Sequence, residues 1–194
     1  HFTFLNVIGR IAFPLFCFQL VNGYRHTKNV KKYIVRLLIF AFISQIPFSI
    51  FTYIYAGIYD NLNVFFTLAF GLIAMYALDK VPNKWLSLLI NLICIAVAEL
   101  VHVDYGGLGV CIILCIFIFY KDRSINLDKK DFLYPFKNNI VFALVFLFLC
   151  IARYFNSFTT NGLLINTSLI LATYFPIIFM LLYNGKKGPS MKYF

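Results

Sequence analysis

The chain has 194 residues, of which 62% are hydrophobic and 12% charged, and its formal net charge is +10. Soluble domains are about 45–50% apolar and about 25% charged, so this composition excludes an ordinary soluble domain and predicts several membrane-spanning helices. The positive charge lies between apolar runs rather than on a basic face with stacking aromatic residues, which argues against nucleic acid as a partner and for membrane lipids.

Apolar runs separated by short polar segments predict an all-α, polytopic transmembrane helical bundle of about seven helices, forming a single domain over residues 1–194. The chain begins at His1 without a methionine, and a further apolar segment starts near Met191, so we expect it to be truncated at both ends. The predicted spans are Val7–Tyr24, Tyr33–Tyr55, Leu62–Leu78, Trp85–Val103, Tyr105–Tyr120, Asn139–Phe155 and Leu163–Tyr183.

The connections between these spans differ in charge. Lysine and arginine occur in the first, third and fifth connections and after the last span, whereas the second, fourth and sixth connections contain neither. Because loops that carry excess Lys and Arg stay on the cytoplasmic side, the basic connections and the C-terminus of the chain are predicted to be cytoplasmic. The five cysteines all lie within apolar runs and are interpreted as small buried side chains, so no metal site is predicted.

Charged residues close to a membrane span suggest a site near the outer side. Arg10 is flanked by Gly9 and Pro14, which would permit a local bend and a close approach. Its predicted partners are Glu99, Asp104 or Asp60, and the alternative is that its side chain extends to the interface.

Glu99 and His102 are three residues apart in the fourth span and are predicted to share a helix face with Asn91. A carboxylate that orients an imidazole forms a dyad able to act as a general base, although a structural ion pair has the same spacing. The turn that follows contains Asp104, Tyr105 and several glycines. It could offer N–H groups to an anion or be a plain helical hairpin.

A cluster of cations follows the first span. It consists of Arg25, His26, Lys28, Lys31, Lys32 and Arg36. Membrane topology alone would explain most of it, but Arg36 lies inside the second span, and guanidinium and ammonium groups in such a cluster could bind a polyphosphate such as coenzyme A. Lys186 and Lys187 are predicted on the same side and could contribute to that site.

Several short motifs together resemble the TraX family of membrane proteins, which is similar to the wider group of transmembrane acyltransferases. They are Ile8-Gly9-Arg10-Ile-Ala-Phe-Pro14-Leu-Phe16, Gly23-Tyr24-x-His26-Thr27, Tyr33-x-x-Arg36-Leu, Ser44-Gln45-x-Pro47-Phe48, Leu62-Asn63-Val-x-Phe-Thr67, Asp104-Tyr105-Gly106 and Tyr183-Asn184-Gly185-Lys-Lys-Gly188. The resemblance implies additional helices before and after this chain, one with an Asp-His pair and one with a Tyr-Pro-x-His-like element. If the catalytic histidine lies there, His102 is auxiliary.

The resemblance implies an enzyme of the bacterial inner membrane that takes an acetyl group from cytoplasmic acetyl-CoA. The acceptor would be an amine or hydroxyl on the outer side, such as a pilin N-terminus, another peptide or an envelope glycan. In this hypothesis a histidine is the general base and Arg10, Gln45 or Asn63 stabilises the oxyanion. Two alternatives remain open, a transporter or flippase for an anionic or amphipathic solute and a non-catalytic membrane scaffold.

Overall fold

The computed structural model describes residues 2–57, 61–120, 139–155 and 163–183. All regular secondary structure in these ranges is helical, which confirms the predicted all-α class. The helices are α1 (Phe2–His26), α2 (Val30–Ala56), α3 (Val64–Lys80), α4 (Lys84–Leu100), α5 (Gly106–Phe119), α6 (Ile140–Phe155), α7 (Leu163–Tyr174) and α8 (Ile177–Leu182).

Asparagine side chains define the start of three helices. Asn29 accepts a hydrogen bond from the Lys32 N–H at α2, and Asn63 accepts one from the Phe65 N–H at α3. Asn83 accepts from the Trp85 and Leu86 N–H groups at α4. The first N–H groups of a helix have no intrahelical partner, and asparagine is among the strongest caps for them.

The seventh predicted span, Leu163–Tyr183, does not form one helix. The chain turns at Phe175 and Pro176, which separate α7 from α8. Proline lacks the N–H that would continue the helical hydrogen bonding, and its ring clashes with the preceding turn. Pro14 and Pro47, in contrast, lie inside the continuous helices α1 and α2.

The chain divides into two compact units. The first consists of His1–Leu15 and Ile118–Phe194, and the second is Phe16–Phe117. In the first unit, the Tyr120 hydroxyl donates to the Met180 carbonyl oxygen at 2.8 Å. The rings of Tyr120, Phe142, Phe146 and Tyr174 form a series with centroids 5.6–5.9 Å apart, which packs α6 against α7.

The second unit is built around α3 and α5. Leu72 and Met75 of α3 and Ile113 and Ile116 of α5 are fully buried, and Gly71 lies directly against the Ile113 side chain. Helices α2 and α4 instead leave many large apolar side chains exposed, among them Phe42, Ile46 and Trp85. In the described part of the chain, one helical stretch, Val30–Ile54, is both long enough and apolar enough to cross a membrane.

Candidate functional site

The second unit has two chemically different ends. All seven lysines and arginines of residues 16–117 lie where α1 ends, α2 begins, α3 ends and α4 begins. Two contacts bring these termini together, from Tyr24 to Asp79 and from Ser87 to Ala77. We call this end the basic end. The opposite end is where α3 and α5 begin and α4 terminates, and it carries Glu99 and Asp104.

A cavity of about 410 Å³ at the basic end separates the end of α1 from the first turns of α2. We call it the basic cavity, and its lining is Gly23, Thr27, Asn29, Lys32, Tyr33 and Arg36. Lys32 and Arg36 are one helical turn apart and project from one face of α2. Among the residues that the structure describes, the lining contains two cations and no carboxylate. It lies at the N-terminus of α2, which favours negative charge. This arrangement suits a phosphate-bearing ligand.

Gly23 determines how closely α1 approaches Tyr33 in this cavity. A Cβ atom at position 23 would lie 3.0 Å from the Tyr33 hydroxyl oxygen. That distance is tighter than ordinary van der Waals contact, so a larger residue at position 23 would displace the tyrosine. The glycine of the Gly23-Tyr24 motif thus keeps the Tyr33 phenol at the cavity wall.

A second cavity of about 360 Å³ lies on the other side of the same linker. We call it the paired cavity, and it is lined by Tyr24, Arg25, Thr27, Lys28, Val30, Asp79, Lys80 and Phe117. The Tyr24 hydroxyl donates to Asp79 Oδ2 at 2.8 Å, and Lys80 Nζ lies 2.9 Å from the same oxygen. The Lys80 ammonium and the Tyr24 hydroxyl hold the pKa of the Asp79 carboxyl below its usual value.

The predicted donor-binding residues are divided between these cavities. Lys32 and Arg36 line the basic cavity, whereas Arg25 and Lys28 line the paired cavity. The Arg25 guanidinium donates to the Phe117 carbonyl oxygen at 3.2 Å, close to the C-terminus of α5, where a cation is favourable. The His26 ring is exposed, with Nδ1 2.8 Å from the Asn22 carbonyl oxygen of its own helix. Lys186 and Lys187 lie outside the described residues.

At the opposite end, Gln45 and Asn63 join α2 to the segment before α3. Gln45 Oε1 lies 3.0 Å from both the main-chain nitrogen and Nδ2 of Asn63, and accepts from each. Gln45 Nε2 donates to the Asn61 carbonyl oxygen at 3.0 Å and to Ser49 Oγ at 2.9 Å. Asn63 Nδ2 also lies within 2.8 Å of the Ala41 carbonyl oxygen. Both amide groups are therefore engaged in intramolecular hydrogen bonds, and their oxyanion role stays a prediction.

The segment held by Gln45 pairs with the turn that carries the other predicted site residues. The Leu62 N–H donates to the His102 carbonyl oxygen at 3.2 Å, and the Asp104 N–H donates to the Leu62 carbonyl oxygen at 2.9 Å. This is a parallel bridge between Leu62 and Val103. It fixes the main chain at Asp104, whose side chain is exposed, and leads into Tyr105, which is buried.

His102 does not share a helix face with Asn91 and Glu99 as the sequence predicted. α4 ends at Leu100, and His102 follows in the left-handed region with a φ of 49°. Its N–H donates to the Glu99 carbonyl oxygen, and the Val103 N–H donates to the Ala98 carbonyl oxygen. These two bonds form a Schellman motif, in which the residue after the helix adopts the left-handed conformation.

The Glu99 carboxylate caps the next helix. Glu99 Oε2 accepts a hydrogen bond from the Gly107 N–H at 2.7 Å, at the start of α5. A negative charge is stabilising at a helix N-terminus, so the anion that the glycine turn was predicted to accept is here a side chain of the same protein. Within the described ranges no hydrogen bond joins Glu99 to the His102 ring, and the catalytic dyad stays a prediction.

Arg10 belongs to the first unit, on α1, and is half-buried. Its predicted pairing with Glu99, Asp104 or Asp60 stays a prediction, and Asp60 lies outside the described residues. Sequence reasoning missed Tyr24, Asp79 and Tyr33 as parts of the basic end. Asp79 was detectable as an acidic residue beside the cations of the predicted third connection, whereas nothing local in the sequence indicates its bond to Tyr24, which is 55 residues away.

The described regular structure is helical, and the second unit combines a basic cavity at one of its ends with a hydrogen-bonded polar turn at the other. The sequence profile described as "TraX protein" matches residues 1–194, and the chain belongs to this family. Over 132 residues it is 32% identical to the probable fimbrial assembly protein FimC, serogroup H1, of Dichelobacter nodosus. That match covers 62% of this chain and 51% of the relative, so the chain spans about half the length of the curated relative it matches. No solved structure matches the chain.

Proposed function

We propose that this protein is an integral membrane acetyltransferase of the bacterial inner membrane, which accepts acetyl-CoA at the basic end. The observation that supports this most directly is the basic cavity, where Lys32 and Arg36 face a volume of about 410 Å³ and no carboxylate occurs among the described lining residues. A diphosphate needs cations of this kind, and guanidinium groups bind phosphate oxygens in a bidentate manner.

A polytopic membrane location is supported by the surface of the second unit. The exposed fractions of Phe42, Ile46, Trp85 and Leu100 are 65%, 68%, 81% and 76%, and leaving such side chains in water costs about 1.5–3 kcal/mol each. In a bilayer these helix faces contact lipid acyl chains instead. Because all lysines and arginines of this unit lie at the basic end, that end faces the cytoplasm, where acetyl-CoA is made.

The proposed chemistry is acyl transfer to a nucleophile on the outer side. The acceptor amine attacks the thioester carbonyl, the new C–N bond forms, the C–S bond breaks and coenzyme A leaves as its thiolate. The proton of the amine passes to a general base, for which His102 is the candidate in this chain. In the same unit as His102, Gln45 and Asn63 hold the turn that carries Asp104, and the oxyanion role of Arg10 stays what the family resemblance implies.

The acceptor that we favour is the N-terminal amine of a pilin or fimbrial subunit. The chain belongs to the TraX family, and the curated relative is named for fimbrial assembly. The N-terminal α-amine of such a subunit is also a chemically suitable acceptor, because a deprotonated α-amine is a good nucleophile near neutral pH. Other peptides and envelope glycans are the remaining acceptor classes.

A transporter or flippase is the second candidate, and one feature favours it. The last predicted span is interrupted at Phe175 and Pro176, and helices broken within the membrane are common at transporter binding sites. Uptake of an anionic solute into vesicles that contain no coenzyme A would support this alternative over the acetyltransferase.

The acetyltransferase proposal is tested with the full-length protein in lipid vesicles, labelled acetyl-CoA and a pilin N-terminal peptide. Arg36→Ala and Lys32→Ala should raise the KM for acetyl-CoA by about tenfold or more, because each removes a charge-assisted phosphate contact. Lys31→Ala is the matched control, since Lys31 is exposed on the same turn of α2 and does not line the cavity. If both cavity variants keep the wild-type kinetics, Lys32 and Arg36 do not form the donor site. If the wild type transfers no acetyl group, the proposed acetyltransferase function is wrong.

A further inference from the structure

The basic cavity and the paired cavity are two halves of one surface, because Thr27 lines both of them. The linker between α1 and α2, residues 27–29, is the wall that separates them. With volumes of about 410 and 360 Å³, each lies near the lower end of the roughly 300–1,000 Å³ typical of ligand sites. Each therefore suits a part of a larger ligand.

Both halves are positively charged, but they present this charge differently. Among the described residues of its lining, the basic cavity carries Lys32 and Arg36 and no acidic residue. The described lining of the paired cavity carries Arg25, Lys28 and Lys80 with one carboxylate, that of Asp79. Asp79 is bonded to Lys80 and to the Tyr24 hydroxyl, and cations outnumber carboxylates in this part of the lining.

We propose that the two cavities bind one ligand that carries two separate phosphate groups. This inference rests on the proposed function and specifies its donor. Lys32 and Arg36 bind the diphosphate of coenzyme A, and Lys28 and Lys80 of the paired cavity bind the 3′-phosphate of its ribose. Thr27 lies between the two phosphate sites. The protein then distinguishes coenzyme A from dephospho-coenzyme A, which lacks only the 3′-phosphate.

The test measures Kd values of coenzyme A and dephospho-coenzyme A for the full-length protein in phosphatidylcholine nanodiscs. Wild type should bind dephospho-coenzyme A about tenfold more weakly, because a charge-assisted contact is lost. Lys28→Ala and Lys80→Ala should weaken coenzyme A binding to the level of dephospho-coenzyme A and leave the affinity for dephospho-coenzyme A unchanged. Arg36→Ala should weaken both nucleotides equally, and Lys31→Ala should change neither.

Asp79→Asn provides a variant with an expected gain. Removing the carboxylate from the paired cavity should strengthen binding of coenzyme A and leave dephospho-coenzyme A unaffected, an outcome that misfolding does not produce. Equal affinities of wild type for the two nucleotides would overturn this inference while leaving the acetyltransferase proposal intact. Failure to bind either nucleotide would overturn both.

A diphosphate lipid headgroup has the same chemistry as the proposed ligand and is distinguished by repeating the measurement in nanodiscs that contain cardiolipin. If the site belongs to the nucleotide, the difference between coenzyme A and dephospho-coenzyme A persists there. If the two nucleotides bind with equal affinity in the nanodiscs that contain cardiolipin, the paired cavity binds lipid phosphate and the inference is overturned.

Discussion

The carboxamides of Gln45 and Asn63 are bonded to each other and to the main chain between them. Gln45 Oε1 accepts from both N–H groups of Asn63 at 3.0 Å, and Gln45 Nε2 donates to the Asn61 carbonyl oxygen at 3.0 Å. Leu62, which lies between these two bonds, pairs with the main chain of His102 and Asp104. One side chain of α2 thus positions the turn that contains the predicted catalytic residues.

Substitution Gln45→Ala should lower the free energy of unfolding by about 1–3 kcal/mol, because the Asn63 main-chain N–H loses its acceptor and the Asn61 carbonyl oxygen loses the donor Gln45 Nε2. Thermal unfolding in detergent measures this loss. The matched control is Gln19→Ala on α1, where the glutamine is exposed and the effect should stay within about 0.5 kcal/mol. Equal effects at the two positions would contradict a stabilising role of the Gln45 hydrogen bonds.

Substitution His102→Gly separates the backbone role of this residue from a chemical one. With a φ of 49°, His102 occupies a position that glycine adopts without steric cost, so the free energy of unfolding should be unchanged or rise by up to about 1 kcal/mol. Acetyl transfer should be lost if the imidazole is the general base. A folded His102→Gly protein with full activity would remove His102 from the mechanism.

Substitution Gly107→Ala should destabilise the second unit. A Cβ atom there would lie 2.8 Å from the Ile95 carbonyl oxygen and 2.9 Å from Ile95 Cγ2, and overpacking against a backbone atom typically costs about 1–3 kcal/mol. Gly9→Ala is the control, because a Cβ atom at position 9 meets nothing within 4 Å. There the helix should gain about 0.5–1 kcal/mol. Unfolding midpoints that fail to move in opposite directions would contradict the packing described.

The Asp79 carboxyl predicts a component of acid sensitivity. Lys80 and Tyr24 lower its pKa in the folded state, so the stabilisation is fully present above the unfolded value of about 3.9 and is lost as the pH falls through the folded value. The side chain is 40% exposed, so the contribution is at most about 1 kcal/mol. Unfolding midpoints measured from pH 3 to 7 should depend less on pH in Asp79→Asn than in wild type. Identical profiles would contradict the assignment.

The sequence predicts much of the helical framework because apolar runs and their polar boundaries are local signals. The run Asn139–Phe155 becomes α6 with a start only one residue away, at Ile140. The sequence places three prolines, Pro14, Pro47 and Pro176, within predicted spans, and the chain leaves the helix at Pro176 but not at Pro14 or Pro47. Local sequence does not decide which of these prolines interrupts a helix.

The candidate site is less predictable because its geometry depends on the ends of helices. Helical spacing predicted that His102 shares a helix face with Glu99. The Schellman motif ends α4 at Leu100, before His102, so the helical spacing no longer applies to His102. The basic cluster was predicted as one site, whereas the linker between α1 and α2 separates Lys32 and Arg36 from Arg25 and Lys28. Such divisions come from tertiary contacts that a linear pattern does not contain.

In the proposed function, acetyl-CoA enters at the basic end, on the cytoplasmic side, and its acetyl group passes to an acceptor on the other side. The most direct test supplies labelled acetyl-CoA to sealed inverted and right-side-out vesicles, with the pilin N-terminal peptide enclosed in the lumen. We predict that label reaches the enclosed peptide only in inverted vesicles, where the basic end faces the added donor, and that Arg36→Ala slows this transfer at acetyl-CoA concentrations below the wild-type KM. Transfer only in right-side-out vesicles would contradict the account.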